Sequence, residues 1–393
     1  MATWRREGLD GLSLGIVTHN IIEGDGQGRV NVALVRYLVQ QGIKVTLIAN
    51  RVSDSLQEEA HEVIHIETGV VGEKVDLIKV WRFKRKADQV LRQRRQEFDA
   101  VIACGVTCSV PHTINAVHFA HGGWLRSPYH AWKVNPGLNG AYQWLFSRLN
   151  DRWERHTLSN AERIVAVSEM VRDELEASGI PASKIDVVVN GVDATVFRPG
   201  NADRKELHLP PNVPLGLFVG DIRSPIKNPD GCLRALQEAP ETHLAFVGAL
   251  EGSPLPRLAR ELGLQDRVHF LGFRRDIPDL MRAADFFLLP SRRDSCPLVL
   301  LEAMASGLPC VVSSNVGTHA LVERGAGFVI DAPDDLEGLS ESLRTLSSDG
   351  KRRERMGAIA RRVAEEHTWE RMSQRYLEII KETLVADRAV ADH

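Results

Sequence analysis

Short β-rich runs alternate with amphipathic helical patterns from one end of this chain to the other, and few folds accept that alternation. Strand-length apolar runs separated by helices are the pattern of βαβ units in parallel sheets. Residues 12–18 read as a strand, followed by a Gly-rich loop over 23–28. Val32, Leu34, Val35 and Leu38 then mark a helix face, which Gly42 ends before a strand at 45–49. Further strands are expected at 63–66, 100–104, 114–119, 163–167 and 185–189. The pattern breaks between 197 and 214, where Pro199, Gly200, Pro210, Pro211 and Pro214 cluster among polar residues, as in a linker. A second alternation follows. Strands are expected at 215–219, 243–247, 268–271, 286–289, 309–313 and 327–330, with helices at 229–238, 255–262, 277–284 and 297–306. Asn228 before Pro229 is a favourable helix opening. The expected architecture is α/β, two Rossmann-like halves whose strands end on a cleft, where such sheets bind ligands. A last helix, from 368 to about 385, carries an apolar stripe of Trp369, Met372, Tyr376 and Ile379.

Size and composition agree with two domains. The chain has 393 residues, too many for one ordinary core. It is 43% hydrophobic and 26% charged with a net charge of −3, which speaks against nucleic acid as a partner. No apolar run reaches the roughly 18 residues of a spanning helix. The first ten residues are polar and charged, unlike a secretory signal. Five scattered cysteines at apolar positions suggest reduced thiols and a cytoplasmic setting. Cys104 and Cys108 lack a second Cys/His pair at zinc spacing, so no metal site is expected.

Residues 289–307 carry the sharpest chemical signal. An apolar run from Phe286 to Leu289 ends in a polar loop that becomes a helix opened by Pro297. Asp294 and Glu302 stand on either side of that helix start. A helix N-terminus is a ready anion site, and carboxylates beside it suit an anion that also carries hydroxyls. Lys227 lies just ahead of another helix start, and Gly24, Gly26 and Gly28 follow the first strand. His118 and His121 end a strand, and four of the seven tryptophans fall between 123 and 153. Residues 79–95 are strongly basic, with Trp81 and Phe83 interleaved, a composition suited either to a solvated helix face or to an anionic membrane surface.

Four segments carry a resemblance to a known family. They are Ala-Glu-Arg-Ile-Val-Ala-Val-Ser-Glu at 161–169, Val-Val-Asn-Gly-Val-Asp at 188–193 with Phe197 and Pro199, Phe-Val-Gly-Asp-Ile-Arg-Ser-Pro-Ile-Lys-Asn at 218–228, and the 289–307 segment preceded by Phe-Leu-Gly-Phe at 270–273 and Ala-Ala-Asp at 283–285. In this order and spacing the chain resembles the retaining, nucleotide-sugar-dependent glycosyltransferases of family 4, which have the GT-B fold.

The resemblance implies an acceptor domain over 1–197, a linker over 198–214, a donor domain over 215–367, and a C-terminal helix over 368–393 that crosses back to the N-terminal domain. It implies no metal or other cofactor. The donor would be a UDP-, GDP-, ADP- or TDP-sugar, and the acceptor a hydroxyl of a glycan, a lipid-linked sugar or a small molecule. The setting would be cytoplasmic, with peripheral contact at the inner membrane face through 79–95. The family's Glu-x7-Glu pair maps onto Asp294, on the donor sugar, and Glu302, on the ribose. Asp for Glu is a departure, one methylene shorter. Ser295, Cys296, Pro297 and Leu298 would lend backbone groups to sugar and diphosphate, although Pro297 has no N–H. The family sets an Arg directly after the strand-ending Gly, six residues before Lys227; Asp221 stands there instead, and Arg223 would substitute if the strand continued, since positions two apart share a face. Gly26 matches the loop that reaches the donor phosphate, and His121 the cleft histidine near the sugar. No residue presents itself as a covalent nucleophile, so front-face transfer is the implied chemistry. Two rivals remain: a nucleotide-sugar epimerase of the same fold, and a degenerate subunit that partners an active transferase.

Overall fold

Among the described residues, 11–24, 26–69 and 76–391 of a computed structural model, every strand pairs in parallel with its neighbour. The readings placed on residues 1–10 and on Asp25 of the Gly-rich loop lie outside that set. Parallel pairing demands a crossover between successive strands, and helices supply it.

The chain divides into two units. The first comprises Met1–Asn190 with Trp369–His393, and the second Gly191–Thr368. In the first unit β1 (Ser13–Ile21), β2 (Lys44–Val52), β3 (Glu62–His65), β4 (Ala100–Cys104), β5 (His112–Val117), β6 (Ala161–Ala166) and β7 (Ile185–Val187) form a sheet of order β3-β2-β1-β4-β5-β6-β7. In the second, β8 (Leu215–Val219), β9 (His243–Val247), β10 (Val268–Gly272), β11 (Phe286–Leu289), β12 (Cys310–Ser313) and β13 (Gly327–Ile330) form a sheet of order β10-β9-β8-β11-β12-β13. Each order reverses once, at β1/β4 and at β8/β11. In open parallel sheets such a reversal is where ligand-binding crevices form.

The central strands are apolar on both faces because helices cover both faces. All residues of β4 and β11 are buried. Val17, Ile48, Phe83, Leu91 and Val101 pack in one core. Phe218, Phe246, Leu233, Leu288, Val311 and Leu343 pack in another.

The stretch 198–214 is bound to the second unit. Arg204 donates to the carbonyls of Ala283 (2.8 Å) and Val213 (2.7 Å) and to Asp285 Oδ2 (2.8 Å). Its prolines make it irregular, and the arginine fork holds it down. The final helix, Trp369–Ala391, belongs to the first unit. Met372, Tyr376 and Ile379 are buried, and the helix packs on helix Gly26–Gln40.

Two helix starts differ from expectation, and a third falls where expected with a different cap. Helix Gly26–Gln40 begins at Gly26, so Gly26 and Gly28 lie in its first turn rather than in a loop. Helix Leu298–Ala305 begins after Pro297, which occupies the N-cap with φ −68°. Asn228 is the N-cap of helix Pro229–Leu236 but makes no side-chain cap; it sits in the left-handed region, φ 56°.

Candidate functional site

The order reversal at β8/β11 sets two loops side by side at the strand ends. One runs from Gly220 to Asn228 and the other from Pro290 to Pro297. Long-range bonds stitch them together. Asn228 Nδ2 donates to Pro290 O (3.1 Å) and Pro333 O (2.6 Å). Arg292 N donates to Ile226 O at 2.7 Å. The Arg292 guanidinium reaches Pro225 O (2.5 Å), Asp230 (3.1 Å) and Asp334 (3.1 Å). Asp294 is fixed by its backbone, its N–H donating to Asn315 O (3.2 Å) and its carbonyl accepting from Gly317 N (2.7 Å).

This frame brings Lys227 and Asp294 into a direct ion pair. Ser295, Cys296, Pro297 and Leu298 follow, all buried, at the N-terminal end of helix Leu298–Ala305. Glu302 lies one turn in and is 5% exposed. A carboxylate buried to that degree needs hydrogen-bond donors, and the site lies where helix N–H groups and dipole favour negative charge.

Arg223 sits differently from expectation. β8 stops at Val219, so the argument that positions two apart share a strand face does not apply. Arg223 is in the following turn, about half exposed, with Nε 2.8 Å from Asp221 Oδ1. Its guanidinium hydrogen bond holds the Asp221 carboxyl below the usual carboxylate range.

The first unit holds the other candidates. Gly26 opens helix Gly26–Gln40 after β1. His121 opens helix His121–Arg126 after β5, and its backbone N–H donates to Glu154 Oε2 at 3.0 Å. Glu154 is 2% exposed, and burial pushes its carboxyl up to about 8, with the nearby Asp151 and Glu174 charges adding to the shift. Gly122 and Gly123 leave room in this first turn for neighbouring polar side chains. A Cβ on Gly122 would meet Ser178 Oγ at 2.6 Å and Asp151 Oδ1 at 2.7 Å, and one on Gly123 would meet the Glu174 carboxylate. The His121 ring lies against Phe119 (5.2 Å) and Phe146 (6.1 Å), so part of the aromatic stretch surrounds it. Burial pushes the His118 imidazole down to about 4, and its Nε2 has no hydrogen-bond partner among the described residues.

Sequence reasoning missed Glu154 and Arg292. Glu154 stands 33 residues from His121, so no local spacing links them. Arg292 lies in the right loop, but its partners Asp230 and Asp334 are distant in sequence.

The basic run 79–95 forms most of helix Asp76–Arg94. Many of its cations are turned to the protein. Arg82 donates to Thr68 O, Lys84 to Ser109 Oγ, Lys86 to Glu67 O, Arg95 to Phe98 O, and Arg94 pairs with Glu62 and Glu97. Arg85 lies over the Trp81 ring. Trp81 on this helix is exposed, and a larger group of exposed apolar residues lies at Trp132, Val134, Leu138, Trp144 and Leu145. Among the described residues no cluster of three or more His, Cys, Asp or Glu could hold a metal ion, and no helix is long and apolar enough to cross a membrane.

The chain is similar to known proteins. Residues 24–196 match the model described as Glycosyltransferase Family 4, and residues 200–363 that of Glycosyl transferases group 1. A D-inositol 3-phosphate glycosyltransferase of Nocardia farcinica is 34% identical over 242 residues, covering 57% of this chain and 53% of the relative. One from Mycolicibacterium smegmatis is 36% identical over 193 residues, covering 46% and 44%. The chain thus spans about half the length of the curated relatives it matches. Among solved structures, WaaG, a glycosyltransferase involved in lipopolysaccharide biosynthesis, superposes with a TM-score of 0.73 at 19% identity, over 93% of this chain and 99% of that one. Anabaena HepE in complex with UDP-glucose gives 0.71 at 21% identity, over 95% and 100%. With two parallel-sheet Rossmann-like units and a family match in each, the chain belongs to the group 1, family 4 glycosyltransferases of GT-B fold.

Proposed function

We propose that this chain is a retaining glycosyltransferase that moves a sugar from a nucleoside diphosphate donor to an acceptor hydroxyl. The observation that carries the reading is the second unit's crevice: Lys227 and Asp294 on adjacent loops, a helix N-terminus beyond them, and Glu302 buried in its second turn. The chemistry follows from charge. The diphosphate becomes the leaving group, and Lys227 with the helix N-terminus stabilises the negative charge that develops on it. Glu302 accepts from ribose hydroxyls and Asp294 from sugar hydroxyls, which fixes the donor for reaction. Positive charge from the chain itself does the work that a metal ion would do elsewhere. With no carboxylate offered as nucleophile, the leaving phosphate takes the acceptor proton as the new bond forms on the same face. His121, held by Glu154, lies at a strand end of the first unit, suited to sugar contact.

Two relatives set the first assays. HepE was solved with UDP-glucose, so UDP-sugars head the donor series. The curated relatives are named for D-inositol 3-phosphate, so a phosphorylated polyol heads the acceptor series, ahead of lipid-linked sugars and glycans. The test is transfer from radiolabelled UDP-sugars, with anomeric configuration read by NMR. An inverted product rejects retention. Epimer formation without acceptor would select the epimerase instead.

Peripheral contact with an anionic membrane belongs to the same reading, with its centre moved from 79–95 to 131–148. Residues 121–150 contain no acidic residue but include Arg126, Lys133 and Arg148. The exposed Trp132, Val134, Leu138, Trp144 and Leu145 supply apolar area for the interface. Cosedimentation with phosphatidylglycerol vesicles should weaken about tenfold or more in a Trp132→Ser, Leu138→Ser, Trp144→Ser variant. Unchanged sedimentation would remove this region from the account.

A further inference from the structure

We infer that Asp294 is an internal counter-ion that the donor diphosphate displaces, and that this exchange makes the site prefer a sugar nucleotide over the bare nucleoside diphosphate. The inference rests on the donor-site reading above. Its ground is the pairing of charges on the two loops. The Lys227 ammonium is taken by the Asp294 carboxylate, and the Arg223 guanidinium by Asp221. Two cations face two carboxylates. A diphosphate, which also brings about two negative charges, finds both cations already neutralised.

The two pairs are not equal. Arg223 and Asp221 are each close to half exposed, so solvent already screens them. The Asp294 carboxylate is only 14% exposed and its backbone is pinned to residues 315 and 317. It stays near Lys227 when phosphate enters. A bare diphosphate must therefore take the ammonium and leave a fixed carboxylate beside its own charge. A sugar nucleotide takes the same ammonium but presents hydroxyls, which donate to the freed carboxylate. The pair thus opposes the product and tolerates the substrate, which hastens product release.

The test is a double-mutant cycle read by calorimetric titration with UDP and by UDP inhibition of transfer. Asp294→Asn should bind UDP about tenfold more tightly than wild type and be inhibited by it in proportion, while kcat for transfer falls. In a Lys227→Gln background the same change should gain only about threefold or less, because no ion pair is left to break and only the carboxylate's repulsion remains. Asp221→Asn should gain about twofold or less. Asp294→Ser is a second neutral variant with the same expected sign, should the asparagine fail to fold. Equal or weaker UDP binding in Asp294→Asn, or the same gain without Lys227, overturns the inference and leaves the transferase intact. A wild-type protein that binds none of the UDP-, GDP-, ADP- and TDP-sugars overturns the donor-site reading itself.

Discussion

Glu154 shows how a single side chain links stability to the site. It accepts the His121 N–H from a buried position, and its carboxyl keeps its proton up to about 8. In the unfolded chain the same group ionises near 4.5, as an ordinary glutamate does. Between those values the unfolded state sheds a proton that the folded state keeps. Folding stability from this group is thus full below about pH 4.5 and declines as pH rises through the window, by up to about 1.4 kcal/mol per unit. The melting temperature of wild type should fall more steeply from pH 5 to pH 8 than that of Glu154→Gln. Equal slopes would show that Glu154 is already ionised at pH 5. A charged Glu154 faces Asp151 and Glu174, with Arg126, Arg148 and Arg155 nearby to balance them.

At the scale of elements, strands were legible and loops were not. Parallel strands buried on both faces read as apolar runs, so β11 and β8 fall where the pattern put them. Helix Pro229–Leu236 starts where the pattern put it, but the role of the Asn228 side chain there is set by remote partners. Asn228 looked like a cap, yet its amide goes to carbonyls 62 and 105 residues away. Arg223 was placed by assuming that β8 continued, and the strand ends first. Asp294 and Glu302 were singled out within one local segment and Lys227, 67 residues from Asp294, by its place ahead of a helix start, whereas the arginine that holds the two loops together was not. Arg292→Ala should lower the stability of the second unit by about 2–4 kcal/mol and raise KM for the donor, with kcat less affected. Arg292→Lys should rescue little, because one ammonium cannot replace a fork that meets Pro225, Asp230 and Asp334 together. Urea unfolding and donor kinetics on the two variants check both points.

For the whole molecule, the first unit is built from discontinuous chain, whereas the second is the single stretch Gly191–Thr368. The final helix completes the first unit rather than the second, with Met372, Tyr376 and Ile379 buried against it. A chain ending at Thr368 should lose the first unit's cooperative unfolding transition in calorimetry while the second unit's survives; loss of both would show that the second unit depends on the first. The central claim is that the crevice at β8/β11 holds a nucleoside diphosphate sugar with Glu302 on its ribose. Titration of UDP-, GDP-, ADP- and TDP-sugars into wild type and Glu302→Ala tests it most directly. The account predicts that one donor binds wild type and that the substitution weakens it about 10- to 100-fold, the loss expected for hydrogen bonds to a buried charge. Unchanged donor affinity in Glu302→Ala would contradict it.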